Sequence, residues 1–407
     1  MKENGRSLSG RASDRILLLD DLTRCPHNGV ERHPQSLAAI KAMLSPAVAG
    51  PFAIPDLELL TAGDGDAFDV HLSVSEIMEM AGQEAGLSGW ARFHQLVEAP
   101  ARLVAYLRER LAEARLVIGF ELPTLIFVAL CDAGYRVIDL GVGPIRFLPE
   151  LNFEVRSSSD ALHSSLSRWV VPDSELCAGV ASYSGMAQRT SPSIEELGRV
   201  GLLLGQTAVD TSLIFGDGMF DPAANVQALL EWAEPLDTIL YKPHPFHLGF
   251  AMATILEQAG NRVLCTDFPT YQLLSLNTVK AALAISSGTL VEAKYFNVEP
   301  TALMTPPRWG ARRHHHLAIS PDFLSPAGLS VLLDREIPAG TPGKGPSLRR
   351  VLGSWGDQEK LRKLKTKSLR RARLQAWIYL NRKQLRAGGG MLLFAALGAA
   401  VFAIIGS

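Results

Sequence analysis

The sequence predicts an α/β protein of two Rossmann-like domains facing a cleft, followed by a basic helical segment and an apolar tail. Three observations carry this. Short apolar runs alternate with stretches of helical periodicity through two successive blocks, residues 15–197 and 198–335. Chains that alternate in this way build parallel sheets covered by helices. A Pro/Gly-rich linker, residues 336–358, then separates both blocks from residues 359–407, whose composition is unlike anything before it.

Composition agrees with that division. At 407 residues the chain is too long for one ordinary core. With 47% hydrophobic and 20% charged residues it is globular rather than disordered. Residues 1–14 are polar, read as a loose N-terminus, and contain no apolar region of a secretory signal. Cys25, Cys131, Cys177 and Cys265 are scattered and form no CxxC pair, which argues against a disulfide framework or zinc knuckle and for free thiols.

In the first block, "RILLLDD" reads as a buried strand, "ARLVAYLRERLAEA" as a helix and "RLVIGF" as the next strand. "LPTLIFVALCDAG" is a helix closed by Gly134, and "YRVIDLG" a further strand. In the second block, "VGLLLGQ" is a strand and "PAANVQALLEWA" a helix with Pro222 in its first turn. "DTILYKP" is a strand, and "FAMATILEQAG" a helix ending at Gly260. "RVLCTD", "YQLLSL" and "VKAALAIS" continue the alternation, "GTLVEAKYFN" is a helix and "VEPTALM" the last clear strand. Neither block contains a GxGxxG fingerprint.

Ligands of open parallel sheets sit outside the carboxyl ends of the strands. Four segments of the second block fall there: Gly205–Ser212, Lys242–Pro245, Asp267–Tyr271 and Ser286–Ala293. Ser286, Ser287 and Gly288 open a helix, where unpaired N–H groups and the helix dipole favour an anion. Lys242 and His244 add positive charge and a proton donor from the neighbouring loop. Each residue alone also has a plainer reading. The serines can be helix caps, Pro243 and Pro245 strand terminators, His244 a core histidine and Asp210 a turn residue. The joint arrangement favours a site, with Asp210, His244, Ser286 and Ser287 converging on one interdomain cleft. In the first block, Glu121 in "GFELP" and Arg146 in "GPIRF" follow strands, so they either face the cleft or form an ion pair. His314–His316 read as an exposed loop, because adjacent histidines cannot all point at one ion.

The order "GQTAVDTS", then "YKPHP", then "SSGTLVEA" resembles the capsule polysaccharide biosynthesis family, whose members include bacterial Kdo transferases using CMP-Kdo. The resemblance covers residues 202–303; "VIGFELP" and "GPIRF" resemble the family more weakly, and the basic and apolar tail, residues 359–407, is not part of it. It implies a GT-B-like architecture, with the nucleotide sugar on residues 198–335 and the acceptor on residues 15–197. It also implies a glycosyltransferase of surface polysaccharide assembly. Asp210 takes the family's catalytic acid position, as base or nucleophile, and His244 with Lys242 binds the departing phosphate. Gly205, Gln206, Ser286, Ser287, Gly288, Thr289 and Glu292 complete the nucleotide-sugar set, with Glu292 on ribose or base. Glu121 and Arg146 are the candidates for the acceptor or the donor carboxylate. The sequence departs from the family at Ala208 and Val209, where acidic residues often precede the aspartate, and in a Gly/Trp-rich segment reduced here to "PPRWG". No metal and no cofactor is required beyond the donor, expected as CMP-Kdo or a related CMP-activated acidic sugar. The acceptor is lipid-linked or an oligosaccharide, and no nucleic-acid partner is expected. The alternatives are a UDP- or GDP-sugar transferase, or a non-catalytic membrane-tethered assembly protein on a decayed transferase fold.

Residues 359–386 are strongly basic with helical amphipathic spacing, and residues 387–407 carry no charge. About 18–20 residues at about 1.5 Å each just reach across a hydrocarbon core. Cations upstream of such a stretch favour a cytoplasmic position for the preceding domains. The expectation is a C-terminal anchor, or at least a surface contact, on the cytoplasmic face of the bacterial inner membrane.

Overall fold

The computed structural model describes residues 14–30, 36–111, 114–190, 195–244, 249–305 and 314–352. The first domain opens with strand β1 (Asp14–Asp20), helix α1 (Ser36–Ala49), β2 (Leu57–Gly63) and β3 (Val70–His71). Helices α2 (Val74–Met80), α3 (Leu87–Phe93) and α4 (Ala101–Arg110) lead to β4 (Leu116–Phe120). Then come α5 (Thr124–Asp132), β5 (Val137–Val142), β6 (Phe153–Ser157) and α6 (Asp160–Leu166). Helix α7 (Asp173–Thr190) carries the chain to the second domain.

That domain begins with β7 (Val200–Leu204) and a short hairpin, β8 (Ile214–Phe215) and β9 (Gly218–Met219). It continues through α8 (Val226–Ala233), β10 (Thr238–Lys242), α9 (Ala251–Gln258), β11 (Val263–Cys265) and α10 (Thr270–Leu274). Strand β12 (Val279–Ala284), α11 (Thr289–Tyr295) and β13 (Glu299–Ala302) complete its sheet. The order is β11-β10-β7-β12-β13, all parallel. The apolar runs that predicted β7 and β10 are buried on both faces, as strands covered on both sides by helices must be, and β12 is buried from Ala282 to Ala284.

Two domain boundaries read from the sequence are corrected. After the second sheet the chain returns to the first. Strand β14 (His314–Ile319) pairs antiparallel with β6, and α12 (Pro326–Leu332) and α13 (Leu348–Leu352) follow it. Ile319, Phe323, Leu329, Leu332, Leu348 and Leu352 are buried in one core with Ile16, Ile118 and Phe153. Residues 314–352 therefore belong to the first domain, and the stretch read as a linker supplies part of its core. The histidine triplet is correspondingly an edge strand rather than an exposed loop: His315 lies 2.9 Å from Glu154 and His316 stacks on His163. At the other end, Asp14 is already part of β1.

The first sheet runs β14-β6-β5-β4-β1-β2-β3. Its β1 to β5 strands are parallel, while β6 runs antiparallel to its neighbours β5 and β14, so the sheet is mixed rather than purely parallel. The architecture is GT-B-like: two Rossmann-like sheets joined by α7 and by the returning chain. The domains also share apolar contacts. Ile145, Phe147 and Leu148, in the loop after β5, are buried in the core of the second domain. Phe147 packs edge-on against Tyr271, Tyr295 and Phe296. Burying one such ring is worth about 1.5–3 kcal/mol. Among the described residues, no helix is long and apolar enough to cross a membrane. Residues 1–13 and the basic and apolar segments 359–407 lie outside the described residues.

Candidate active site

Strand order locates two crevices. In the second sheet, β10 and β11 lie on one side of β7 while β12 and β13 lie on the other. The direction of winding reverses between β7 and β12, and such a switch point leaves a crevice at the carboxyl edge. In the first sheet the reversal falls between β1 and β4. The residues that follow β7, β12, β1 and β4 therefore flank the two switch points.

Gln206 follows β7 and Ser286 follows β12, and the two side chains close on each other. Ser286 N donates to Gln206 Oε1 at 2.7 Å, and Gln206 Nε2 donates to Ser286 Oγ at 3.2 Å. Ser286 Oγ donates onward to the Ser212 carbonyl at 2.5 Å, tying in the segment that carries Asp210. Gly205 N donates to the Lys242 carbonyl at 2.8 Å, which joins the β7 end to the β10 end. Gly205 has no room for a side chain: a Cβ there would lie 2.8 Å from both His244 N and Tyr241 Oη. Gly205, Gln206, Lys242, His244, Ser286 and the Asp210 segment thus lie along one edge of one sheet.

The side chains are engaged in specific ways. Asp210 is part-buried and caps the short 3₁₀ turn Thr211–Leu213, its Oδ1 accepting from Ser212 N at 2.9 Å. Lys242 Nζ donates to the Asp267 carbonyl at 3.1 Å. Burial pushes the Lys242 ammonium below its ordinary range, and Asp267 opposes that. Ser287 Oγ accepts from Thr289 N at 3.3 Å. Two donors expected to await an anion, the N–H groups of Ser286 and Thr289, are therefore already taken by side chains. Helix α11 is only seven residues long, and Gly288 lies against Pro144 of the first domain. The helix start is a clamped interdomain joint rather than an open cradle.

Glu292 corrects the sequence reading outright. It was expected to touch ribose or base, but it is buried between α11, α10 and the loop after β5. Its Oε1 accepts from Arg146 N at 2.6 Å and from Tyr271 Oη at 2.9 Å. Burial lifts the carboxyl to about 7, against those hydrogen bonds. Arg146 meets it through the backbone, and the Arg146 side chain is exposed with Nε 3.4 Å from the Gly143 carbonyl. "GPIRF" is thus mainly an interdomain plug made by Ile145 and Phe147.

Glu121 sits where the first switch point requires, immediately after β4. Its φ is +52°, a region that non-glycine residues seldom adopt and that recurs at functional sites. A buried pair fixes that turn from behind. Arg156 Nε lies 2.8 Å from Asp139 Oδ2, and its Nη2 donates to the Leu122 carbonyl at 2.5 Å. Asp139 Oδ1 accepts from Leu122 N at 3.0 Å. Removing one partner of such a pair costs about 3–5 kcal/mol.

The sequence reading missed a further charged cluster after β1. Asp20, Asp21, Arg24 and His94 are all buried there. Arg24 Nη2 lies 3.6 Å from Glu121 Oε2 and donates to Thr211 Oγ1, across the domains, at 3.3 Å. Asp21 Oδ2 lies 3.2 Å from His94 Nε2 and 3.4 Å from Arg24 Nε. Burial alone would raise the Asp21 carboxyl, but His94 and Arg24, with a hydrogen bond from Thr23, hold it below its ordinary range. The signal was present in "DDLTR", at a strand end of the kind used to read the second block.

No protein-family model matches the chain, and no curated protein matches it in sequence. Among solved structures it is similar to Thermosulfurimonas dismutans KpsC, a beta Kdo 2,7 transferase, at 12% identity over 83% of this chain and 97% of that one, with a TM-score of 0.38. It is also similar to UDP-GlcNAc 2-epimerase from Neisseria meningitidis bound to UDP-GlcNAc, at 8% identity over 71% of this chain and 82% of that one, with a TM-score of 0.22.

Proposed function

We propose that this protein is a glycosyltransferase of bacterial surface polysaccharide assembly that takes its sugar from a sugar nucleotide. The donor is CMP-Kdo or a related CMP-activated acidic sugar, and the acceptor a lipid-linked or oligosaccharide glycan. The observation that supports this most is the pairing of two switch points, where open parallel sheets form ligand crevices. One is flanked by Gln206, Ser286, Lys242 and the Asp210 segment, the other by Glu121, and Arg24 reaches from the second to the first. Lys242 and His244 neutralise the phosphate of the departing nucleotide as the glycosidic C–O bond breaks. The acceptor hydroxyl forms the new bond to the anomeric carbon. Asp210 either takes the hydroxyl proton or first forms a sugar ester that the acceptor displaces. The basic and apolar tail holds the enzyme at the membrane beside its acceptor.

Release of CMP from CMP-Kdo by the full-length chain tests this reading. Asp210→Asn should lower turnover about 10²–10⁴-fold with the fold intact, the range for one positioned acid or base. Wild-type turnover in that variant would refute the role of Asp210. Release of UDP or GDP from their sugars, with CMP-Kdo untouched, would change the donor. Absence of release from every sugar nucleotide would favour a non-catalytic assembly protein.

A further inference from the structure

One buried cation spans the two domains. Arg24 lies in the turn after β1 with 7% of its side chain exposed. The same Nη2 atom that approaches Glu121 Oε2 at 3.6 Å donates to Thr211 Oγ1 at 3.3 Å. Thr211 directly follows Asp210, so one guanidinium touches both the strained carboxylate of the first domain and the candidate segment of the second. Arg24 Nε is buried, makes no hydrogen bond, and lies 3.4 Å from Asp21 Oδ2. Burying a guanidinium is costly unless its charge is paired and its donors are hydrogen-bonded, and here Asp21, Glu121 and Thr211 supply those partners.

The guanidinium is itself held by a connected set of groups. Asp21 Oδ1 accepts from Thr23 Oγ1 at 2.5 Å and from Thr23 N at 3.1 Å. Trp90 Nε1 donates to Thr23 Oγ1 at 3.1 Å, and the Trp90 ring meets His94 edge-on at 4.7 Å. Trp90 packs against Ile214 of the β8–β9 hairpin, and Gln95 Nε2 donates to the Gly216 carbonyl in that hairpin. The segment from Asp210 to Met219 is thus docked on the first domain at several points, and Arg24 supplies a charged one.

We propose that Arg24 is a positioning residue that registers the Asp210 segment against Glu121, with Asp21, Thr23, Trp90 and His94 as its mount. Its consequence for catalysis rests on the glycosyl-transfer reading; its geometry does not. Lysine cannot replace it, because a single ammonium lacks the planar fork that reaches Asp21 on one side and Glu121 with Thr211 on the other.

The test uses the full-length protein as wild type, Arg24→Lys and Thr211→Val. Amide hydrogen exchange is followed at Ser212, Leu213 and Phe220, whose N–H groups are bonded within the segment. Both variants should exchange about tenfold faster there, the effect of losing one hydrogen bond to a charged group, while amides of β4 and β12 stay protected. With an established donor, kcat should fall about tenfold in each and donor KM stay within about twofold, as expected when alignment rather than binding is lost. A role confined to stability would lower the melting temperature and leave kcat per folded molecule unchanged. Unchanged exchange in both variants, or wild-type kcat in Arg24→Lys, would overturn the proposal. Thr211→Val decides the matter should Arg24→Lys fail to fold. If the wild type turns over no sugar nucleotide, the functional reading falls, and the exchange result still decides whether Arg24 registers the segment.

Discussion

Glu292 should make this protein less stable as pH rises towards neutrality, the reverse of an ordinary paired carboxylate. The side chain is 1% exposed, and burial raises its carboxyl from the usual 4.5 to about 7. Between those two values the folded state holds a proton that the unfolded chain has released. Stability therefore falls as pH rises across that window, and above about 7 the loss is complete. At 1.36 kcal/mol for each tenfold change in proton affinity, the rise from 4.5 to about 7 sets a ceiling of about 3 kcal/mol. Glu292→Gln keeps a carbonyl oxygen for Arg146 N and Tyr271 Oη but cannot ionise. The variant should match wild type near pH 5 and exceed it at pH 8 by about 1–3 kcal/mol, or about 3–10 °C in melting temperature at this domain size. Melting curves of both proteins at intervals from pH 5 to 8 provide the measurement. A difference that stays constant over that range would refute the assignment of the titration to Glu292. Glu292→Ala serves as the contrast: it cannot ionise either but strands two buried donors, so it should be about 1–3 kcal/mol less stable than Glu292→Gln at every pH.

Two further outcomes follow from the geometry. Gly205→Ala places a Cβ 2.8 Å from His244 N and Tyr241 Oη, so the loop after β10 must shift; a loss of about 1–3 kcal/mol and weaker donor binding are expected from melting and titration. A chain ended after Leu352, rather than at Glu336, keeps the core residues Leu348 and Leu352 and removes only the tail; it should stay soluble after a high-salt wash while the full-length protein remains with membranes. Equal solubility of the two would exclude the anchor.

What the sequence disclosed follows from what a one-dimensional pattern can encode. An apolar run such as "VGLLLG" marks a strand because burial on both faces leaves no polar position in it, and in "VKAALA" only the exposed Lys280 interrupts the run. The rule that sites lie at the carboxyl ends of parallel strands then led to Gln206, Lys242 and Ser286 without any knowledge of their partners. The return of residues 314–352 to the first domain was not legible, because pairing of β14 with β6 lies some 160 residues apart in the chain and leaves no local trace. The same holds for Glu292: a glutamate one turn into a helix looks solvent-facing until Tyr271 and the loop after β5 close over it. Arg24 is a different case. "DDLTR" stands at the end of β1 as "KPHP" stands at the end of β10, and the strand-end rule applies to both equally. What the sequence could not supply was the identity of the switch point, which depends on strand order. Only when β4 is seen beside β1, with β5 beyond it, does Glu121 become the neighbour of Arg24. The charged residues of the first block then acquire the same standing as those of the second, and the candidate site becomes one that neither domain holds alone.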